Sequence, residues 1–267
     1  MKELMVRSVS GIVYVSLVVL SALFSRDVFI VLFCIFAFIC LVELMPMIKL
    51  NQWLIYPVLP LAYYVIVWQT VPDVILYLIL GATLLVNCYL IRDLVLLDRI
   101  AMFNTKKHVI VLLYLIGSSL FIALIPDVVE TYKPMLLIGI FAIIWVNDSF
   151  AYASGKLLGK HKLMKRISPK KTIEGFAGGL IMALVAGAVL HYYVGVYNIY
   201  QWLILAFVVA FFGTIGDLIQ SKFKRQADVK DSGNIMPGHG GIFDRMDSII
   251  FAAPFAYLTF LIINYVS

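Results

Sequence analysis

Charge is scarce in this chain. Only 13% of its 267 residues are Asp, Glu, Lys or Arg, about half the share of a soluble globular protein. Hydrophobic residues make up 63% and mean hydropathy is +1.00, so a water-soluble domain is excluded. Short segments of alternating polarity, which would mark a membrane β-barrel, are also missing. The apolar runs are long and continuous, which leaves helices as the spanning element. Cysteine is rare: Cys34, Cys40 and Cys88 all fall within apolar runs. Cys34 and Cys40 share one helix and are too far apart to bridge, no zinc spacing occurs, and the three read as packing residues. No inverted repeat of the transporter kind is visible, and no polar stretch is long enough for a separate soluble domain.

What is present is an all-α, polytopic integral membrane protein, a single membrane domain over 1–267. Residues 1–126 are read as N-terminal spans and 134–267 as spans and loops that carry chemistry. Nine spans are expected, near 6–24, 27–45, 53–69, 73–91, 108–126, 134–153, 173–194, 200–220 and 248–266. The third contains Pro57 and Pro60 and is expected to be kinked or re-entrant. With nine spans, all of the 21 Lys/Arg except Arg26 and Lys133 fall on one side. The positive-inside rule makes that side the cytoplasm and puts the C-terminus outside. Lys2 and Arg7 before the first apolar run read as an uncleaved signal anchor. The basic excess faces the lipid bilayer, and no nucleic-acid partner is implied. Gly175, Gly179, Ala183 and Gly187 recur every four residues; this face suits close helix packing inside the bundle more than a dimer seam.

The intramembrane acids are not scattered. Glu43, Asp148, Asp217, Glu174, Asp244 and Asp247 all fall near the cytoplasmic ends of spans, which implies one polar cavity open to that side rather than a route through the membrane. Asp148 and Tyr152 share a helix face, as do Asp217 and Ser221. Carboxylates on neighbouring helices with oxygen donors beside them make a site for a hard cation. Asp217, Asp244 and Asp247 are its expected ligands and Mg²⁺ its expected guest. For Glu43, an interfacial place in water or a hydrogen bond between helices is an equal alternative.

Two loops supply the opposite charge. The stretch 154–172 holds Lys156, Lys160, Lys162, Lys165, Arg166, Lys170 and Lys171. Ser168-Pro169 reads as a turn and Thr172 as a helix cap, which delivers Lys170 and Lys171 to a helix N-terminus that favours phosphate. The stretch SKFKRQADVKDSGNIMPGHGGIFDRMD (221–247) holds Lys224, Arg225 and Lys230 among carboxylates, and its Pro237-Gly238-His239-Gly240-Gly241 run cannot be regular helix. Glycine lets backbone N–H groups close on an anion, and His239 is a proton carrier near neutral pH.

The 221–247 run resembles the signature of the phosphatidate cytidylyltransferases, or CDP-diacylglycerol synthases. Ser221, Lys224, Arg225, Lys230, Asp231, Gly233, Pro237, His239, Gly240, Gly241, Asp244, Arg245 and Asp247 stand at its spacing, with Met236 where Leu, Ile or Phe is usual. Asn147-Asp148 with Ala151-Tyr152, the SPKKT tract with Glu174-Gly175, and Gly216-Asp217 are similar to further family motifs. The resemblance implies the reaction of CTP with phosphatidate to give CDP-diacylglycerol and pyrophosphate, with Mg²⁺, a second monovalent cation such as K⁺, and a homodimer. On this reading Asp217, Asp244, Asp148, His239, Lys170 and Arg245 act in catalysis. Lys171, Lys224, Arg225, Lys230, Ser221, Asn147, Gly240 and Gly241 bind the nucleotide and its phosphates. A related lipid nucleotidyltransferase or lipid kinase on another headgroup is the alternative, with an ion or phosphate transporter a distant third. A gap between spans, open sideways to lipid, is also expected.

Overall fold

The computed structural model describes residues 2–69 and 71–266; the side chains of Lys2 and Arg7 lie outside that description. In chain order the helices are α1 (Lys2–Phe24) and α2 (Arg26–Met47), α3 (Trp53–Trp68), α4 (Asp73–Leu96) and α5 (Asn104–Asp127). After these come α6 (Pro134–Leu158), α7 (Ile173–Val194), α8 (Ile199–Gln226) and α9 (Phe243–Val266). Among the described residues seven of these, all but α1 and α3, are long and apolar enough to cross a membrane; the apolar part of α1 (Ser8–Phe24) and α3 are shorter. The all-α membrane architecture is therefore as read from composition, and seven spans are supported by length.

Irregularity falls in α3, where the prolines predict it, and also in α5, where the sequence reading gives no breaker. α3 opens as a 3₁₀ turn at Trp53–Ile55, is α-helical over Val58–Ala62 and ends in a π-helical stretch at Tyr63–Trp68. Pro57 and Pro60 have no N–H to give, so the regular ladder cannot run through them. At the end of α3 the Val67 carbonyl accepts from the Arg26 guanidinium, 2.7 Å away, which also pairs with Asp127 at 2.8 Å. α5 likewise holds a π-helical stretch, Ile110–Gly117.

One departure concerns the basic loop. Lys162–Met164 (β1) and Ser168–Thr172 (β2) pair as an antiparallel hairpin, where the sequence reading has only a loop with a turn at Ser168-Pro169. Pro169 stands near the start of a two-stranded edge, a position that needs no ladder N–H. A second departure is at the last helix, which starts at Phe243 rather than near 248, so Asp244 lies in its first turn and Asp247, three residues on, falls on the same side.

The second half of the chain is a tight bundle, with α6 against α7 and α8 against α9 in the most extensive contacts. The small-residue ladder explains this closeness. The buried residues of α7 are Gly175, Gly179, Ala183 and Gly187 alone, so the ladder faces inward. A Cβ on Gly175 or Gly179 would sit 2.7 Å from the Ala151 or Asn147 carbonyl oxygen of α6, and one on Gly187 would sit 2.9 Å from the Trp202 carbonyl oxygen of α8. In lipid, where the hydrophobic effect gives no reason for helices to associate, such backbone approach supplies the packing.

Charge inside the first half is paired or spent on helix ends. Asp93, fully buried, forms an ion pair with Lys106. Lys222 of α8, also buried, donates to the carbonyls of Asp93 and Leu97, each at 2.6 Å, and so closes the C-terminus of α4.

Gly187→Val should therefore cost about 3 kcal/mol or prevent assembly, because backbone atoms cannot give way to a new methyl as a side chain can. Ile181→Ala, on the exposed face of the same helix, should stay within about 0.5 kcal/mol of the parent. Thermal unfolding of the two variants in the same detergent measures the contrast.

Candidate active site

A cavity of about 610 Å³ opens at one end of the second-half bundle. Its wall draws on α6 (Asn147, Asp148, Tyr152, Lys156), the hairpin (Lys162, Lys170, Lys171), α8 (Thr214, Asp217, Lys224), the connection (Asp231) and α9 (Asp244, Arg245, Asp247). Five aspartates and six basic side chains share it. Asp217 and Asp244, 27 residues apart in sequence and on different helices, lie on this one wall.

The two signs meet in specific pairs. Lys171, at the end of β2, forms an ion pair with Asp217. Ser221, one helical turn on, donates to the same carboxylate at 3.2 Å. Asn147 donates to Asp148 at 3.3 Å and to Thr214 at 3.4 Å. Asp247 is buried, with one oxygen accepting the Ser248 N–H at 2.7 Å. Burial alone would push the Lys171 ammonium down. The facing Asp217, with Asp148 and Asp247 behind it, outweighs burial and holds its pKa above the usual lysine value.

Asp244 has a different character. One oxygen accepts from Gln220 at 2.9 Å and Lys224 at 2.7 Å. The other accepts from the Ser232 N–H at 2.7 Å, the Ser232 hydroxyl at 3.0 Å and the Gly241 N–H at 3.0 Å. Glu43, buried on α2, reaches the same segment: it accepts the N–H groups of Ile242 and Phe243 at 3.1 and 2.9 Å and the Ser232 hydroxyl at 2.8 Å. It thus caps α9 from a helix some two hundred residues away, at a terminus with orphan N–H groups. Glu43 is the inter-helix hydrogen-bonding acid, not a cavity wall.

The glycine run folds as a closed turn. Gly238 and Gly240 have φ of 73° and 85°, a region that costs side-chain-bearing residues. Met236 and Gly240 pair across the turn, and a Cβ on Gly240 would meet an Asp244 oxygen at 2.5 Å. His239 turns away from the cavity: its Nδ1 is hydrogen-bonded to Ser10 of α1 at 2.7 Å.

Other expected residues also sit apart from the wall. Arg225 donates to the Val229 carbonyl at 3.1 Å. Lys230, Gly240, Gly241 and Ser221 are not on the cavity lining, though the last three bond or pack against its aspartates. Glu174 accepts the N–H groups of Lys160 and His161 and the His161 ring, tying the loop before the hairpin to α7. Thr172 caps α7 as expected, accepting the Gly175 N–H at 3.1 Å. Gln220 and Ser232, which hold Asp244, escaped the sequence reading; neither residue type carries a signal without its partner in view.

Oxygen donors on three helices suit a hard cation. Among the described residues, no three acid, histidine or cysteine side chains are grouped closely enough to hold a metal alone. That is the donor set Mg²⁺ commonly meets, one or two carboxylates with phosphate oxygens and water completing the shell. Asp217, Asp247 and Asp148 fit this, Asp217 by giving up its Lys171 partner; Asp244, held by five donors of which two are backbone N–H groups, is the least free to turn to an ion.

A polytopic helical membrane protein with a cavity lined by facing acidic and basic side chains is the class these features define. The sequence pattern of the cytidylyltransferase family matches residues 5–263, and the chain belongs to that family. It is 51% identical over 116 residues to a phosphatidate cytidylyltransferase of Staphylococcus saprophyticus, and equally to one of Staphylococcus haemolyticus. A phosphatidate cytidylyltransferase of Staphylococcus aureus is 50% identical over the same length. Each match covers 43% of this chain and 44% of the relative, so it spans less than half the length of the curated relatives.

Two outcomes test the geometry. Glu43→Gln should lower stability by about 1–3 kcal/mol, since it weakens charge-assisted bonds to two buried N–H groups; thermal unfolding reads this. Lys171 is stabilised in its charged form. Its contribution to stability should be complete below the ordinary lysine pKa of about 10.4 and fall away only as pH rises through the higher folded value. The stability gap between the parent and Lys171→Met should hence be flat from pH 7 to 9.

Proposed function

We propose that this protein is a phosphatidate cytidylyltransferase of phospholipid biosynthesis, joining CTP and phosphatidate to give CDP-diacylglycerol and pyrophosphate. The observation that carries this is the Lys171–Asp217 pair inside a cavity where five aspartates face six basic groups. Family membership and the names of the staphylococcal relatives support the same reading.

The nucleophile is a phosphate oxygen of phosphatidate, whose second ionisation lies roughly near pH 6. It is largely ionised at neutral pH, so no strong base is required. It forms a bond to the α-phosphorus of CTP as the bond to the bridging α–β oxygen breaks, and pyrophosphate leaves with that electron pair. The obstacle is mutual repulsion of two polyanions, met by positioning and charge neutralisation. Lys170, Lys171 and Lys224 hold phosphates as point charges; Arg245 clamps one with its planar fork. Asp217 and Asp247, with Asp148 beside them, would hold Mg²⁺, which when bound supplies neutralising charge to the triphosphate and the departing pyrophosphate. Asp244 orders Lys224 and the glycine turn around the nucleotide. His239, being turned to α1, serves better in holding that turn than in donating to the leaving group.

The family resemblance is the sole support for K⁺ beside Mg²⁺ and for a homodimer. The lysine and arginine asymmetry supports a cytoplasmic N-terminus and cavity and an outside C-terminus; the bacterial source of the relatives supports a plasma, or inner, membrane.

Label from the cytidine of CTP should enter phosphatidate when Mg²⁺ is present and stop on chelation, measured with purified protein in lipid. Asp217→Asn should lower this rate by about 10²-fold or more; near-parent activity would reject the assignment. A different lipid acceptor labelled in preference to phosphatidate would favour a related lipid nucleotidyltransferase.

A further inference from the structure

A second cavity of about 510 Å³ lies against α1 and is almost wholly apolar. Val6, Val9, Val13 and Leu17 form one wall and Met236 and Pro237 the other. Val9 and Val13 are about half exposed, so the cleft opens sideways, towards lipid. We propose that it seats one acyl chain of the lipid substrate, an inference that rests on the proposed activity.

Three observations fit that occupant. The first is length: Val6 to Leu17 spans eleven helical steps, roughly 17 Å at 1.5 Å each, close to half the ~30 Å hydrocarbon core. The cleft is one leaflet deep. The second is a polar seam partway along the cleft. The Ser10 hydroxyl is hydrogen-bonded to His239 Nδ1 at 2.7 Å and to the Pro237 carbonyl at 3.1 Å, and the Tyr14 hydroxyl donates to the Arg245 carbonyl at 3.3 Å. These bonds pin α1 to the glycine turn. The third is continuity. The segment from Met236 to Arg245 presents Met236, Pro237 and Ile242 to the cleft and Asp244 and Arg245 to the charged cavity. One short stretch of chain thus walls both. A lipid phosphate at Arg245 has its nearest apolar shelter on the other side of that stretch, so the Ser10–His239 contact positions the shelter beside the headgroup site.

The test uses the full-length protein in nanodiscs and the CTP-to-lipid assay, with dioleoyl and dihexanoyl phosphatidate as acceptors. Val13→Trp fills the cleft. It should raise KM for the long-chain lipid about tenfold, as expected for loss of contact with about two methylenes, and leave KM for the six-carbon lipid and for CTP unchanged. If Val13→Trp does not fold, Leu17→Trp, deeper in the cleft, should give the same selective change. Unaltered chain-length preference in a folded variant would overturn the proposal, as annular lipid then fills the cleft. So would equal loss with both lipids, or a changed oligomeric state, which would assign the cleft to a second copy. Parent protein that transfers no CTP label to any lipid would instead overturn the activity itself.

Discussion

The ion pair between Lys171 and Asp217 is the interaction on which the site rests. Asp217 stands in a helix among Asp148 and Asp247, and three carboxylates in one partly dry place repel each other. A buried charge is tolerated only when paired and hydrogen-bonded. Lys171 arrives from the hairpin, which the fold adds between α6 and α7 and ties down through Glu174. The pair therefore stabilises the acidic cluster and docks the basic segment in one act. On the proposed function it also sets the chemistry, since a cavity so balanced would exchange its internal cation for a metal and its internal anion for phosphate.

A second constraint is lipid itself. Polar backbone cannot be left bare at membrane depth, yet the glycine turn is irregular chain lying beside apolar helices. The fold meets this with two acids that are not on the wall in the same way. Glu43 takes the first N–H groups of α9, and Asp244 takes two more N–H groups of the connection together with Lys224 and Gln220. Gly233 and Gly241 are crowded against Glu43, so that carboxylate fits only where no Cβ intervenes. Glu43 thus holds backbone without lining the cavity, Asp244 holds backbone while lining it, and sequence position does not separate the two roles.

The close approach of α7 to its neighbours has the same economy. Glycine at 175, 179 and 187 lets carbonyl oxygens of α6 and α8 come within contact of the helix axis. Asp148 and Asp217, on those two helices, line the same cavity.

Composition alone made this a helical membrane protein, because 63% apolar residues in long runs leave no other way to satisfy a backbone in lipid. Local spacing was enough for the Thr172 cap, the inward glycine ladder and the convergence of Asp148, Asp217, Asp244 and Asp247, since each follows from helix periodicity and span direction. Other matters were decided by the tertiary structure. The hairpin exists because Lys171 has Asp217 to meet and the loop before it has Glu174. Glu43 became a cap, and His239 turned to Ser10, through partners some two hundred residues away. Periodicity reports which side of a helix a residue occupies; it carries no information about which distant atom waits there, and for a hydrogen bond that partner is the whole of the energy.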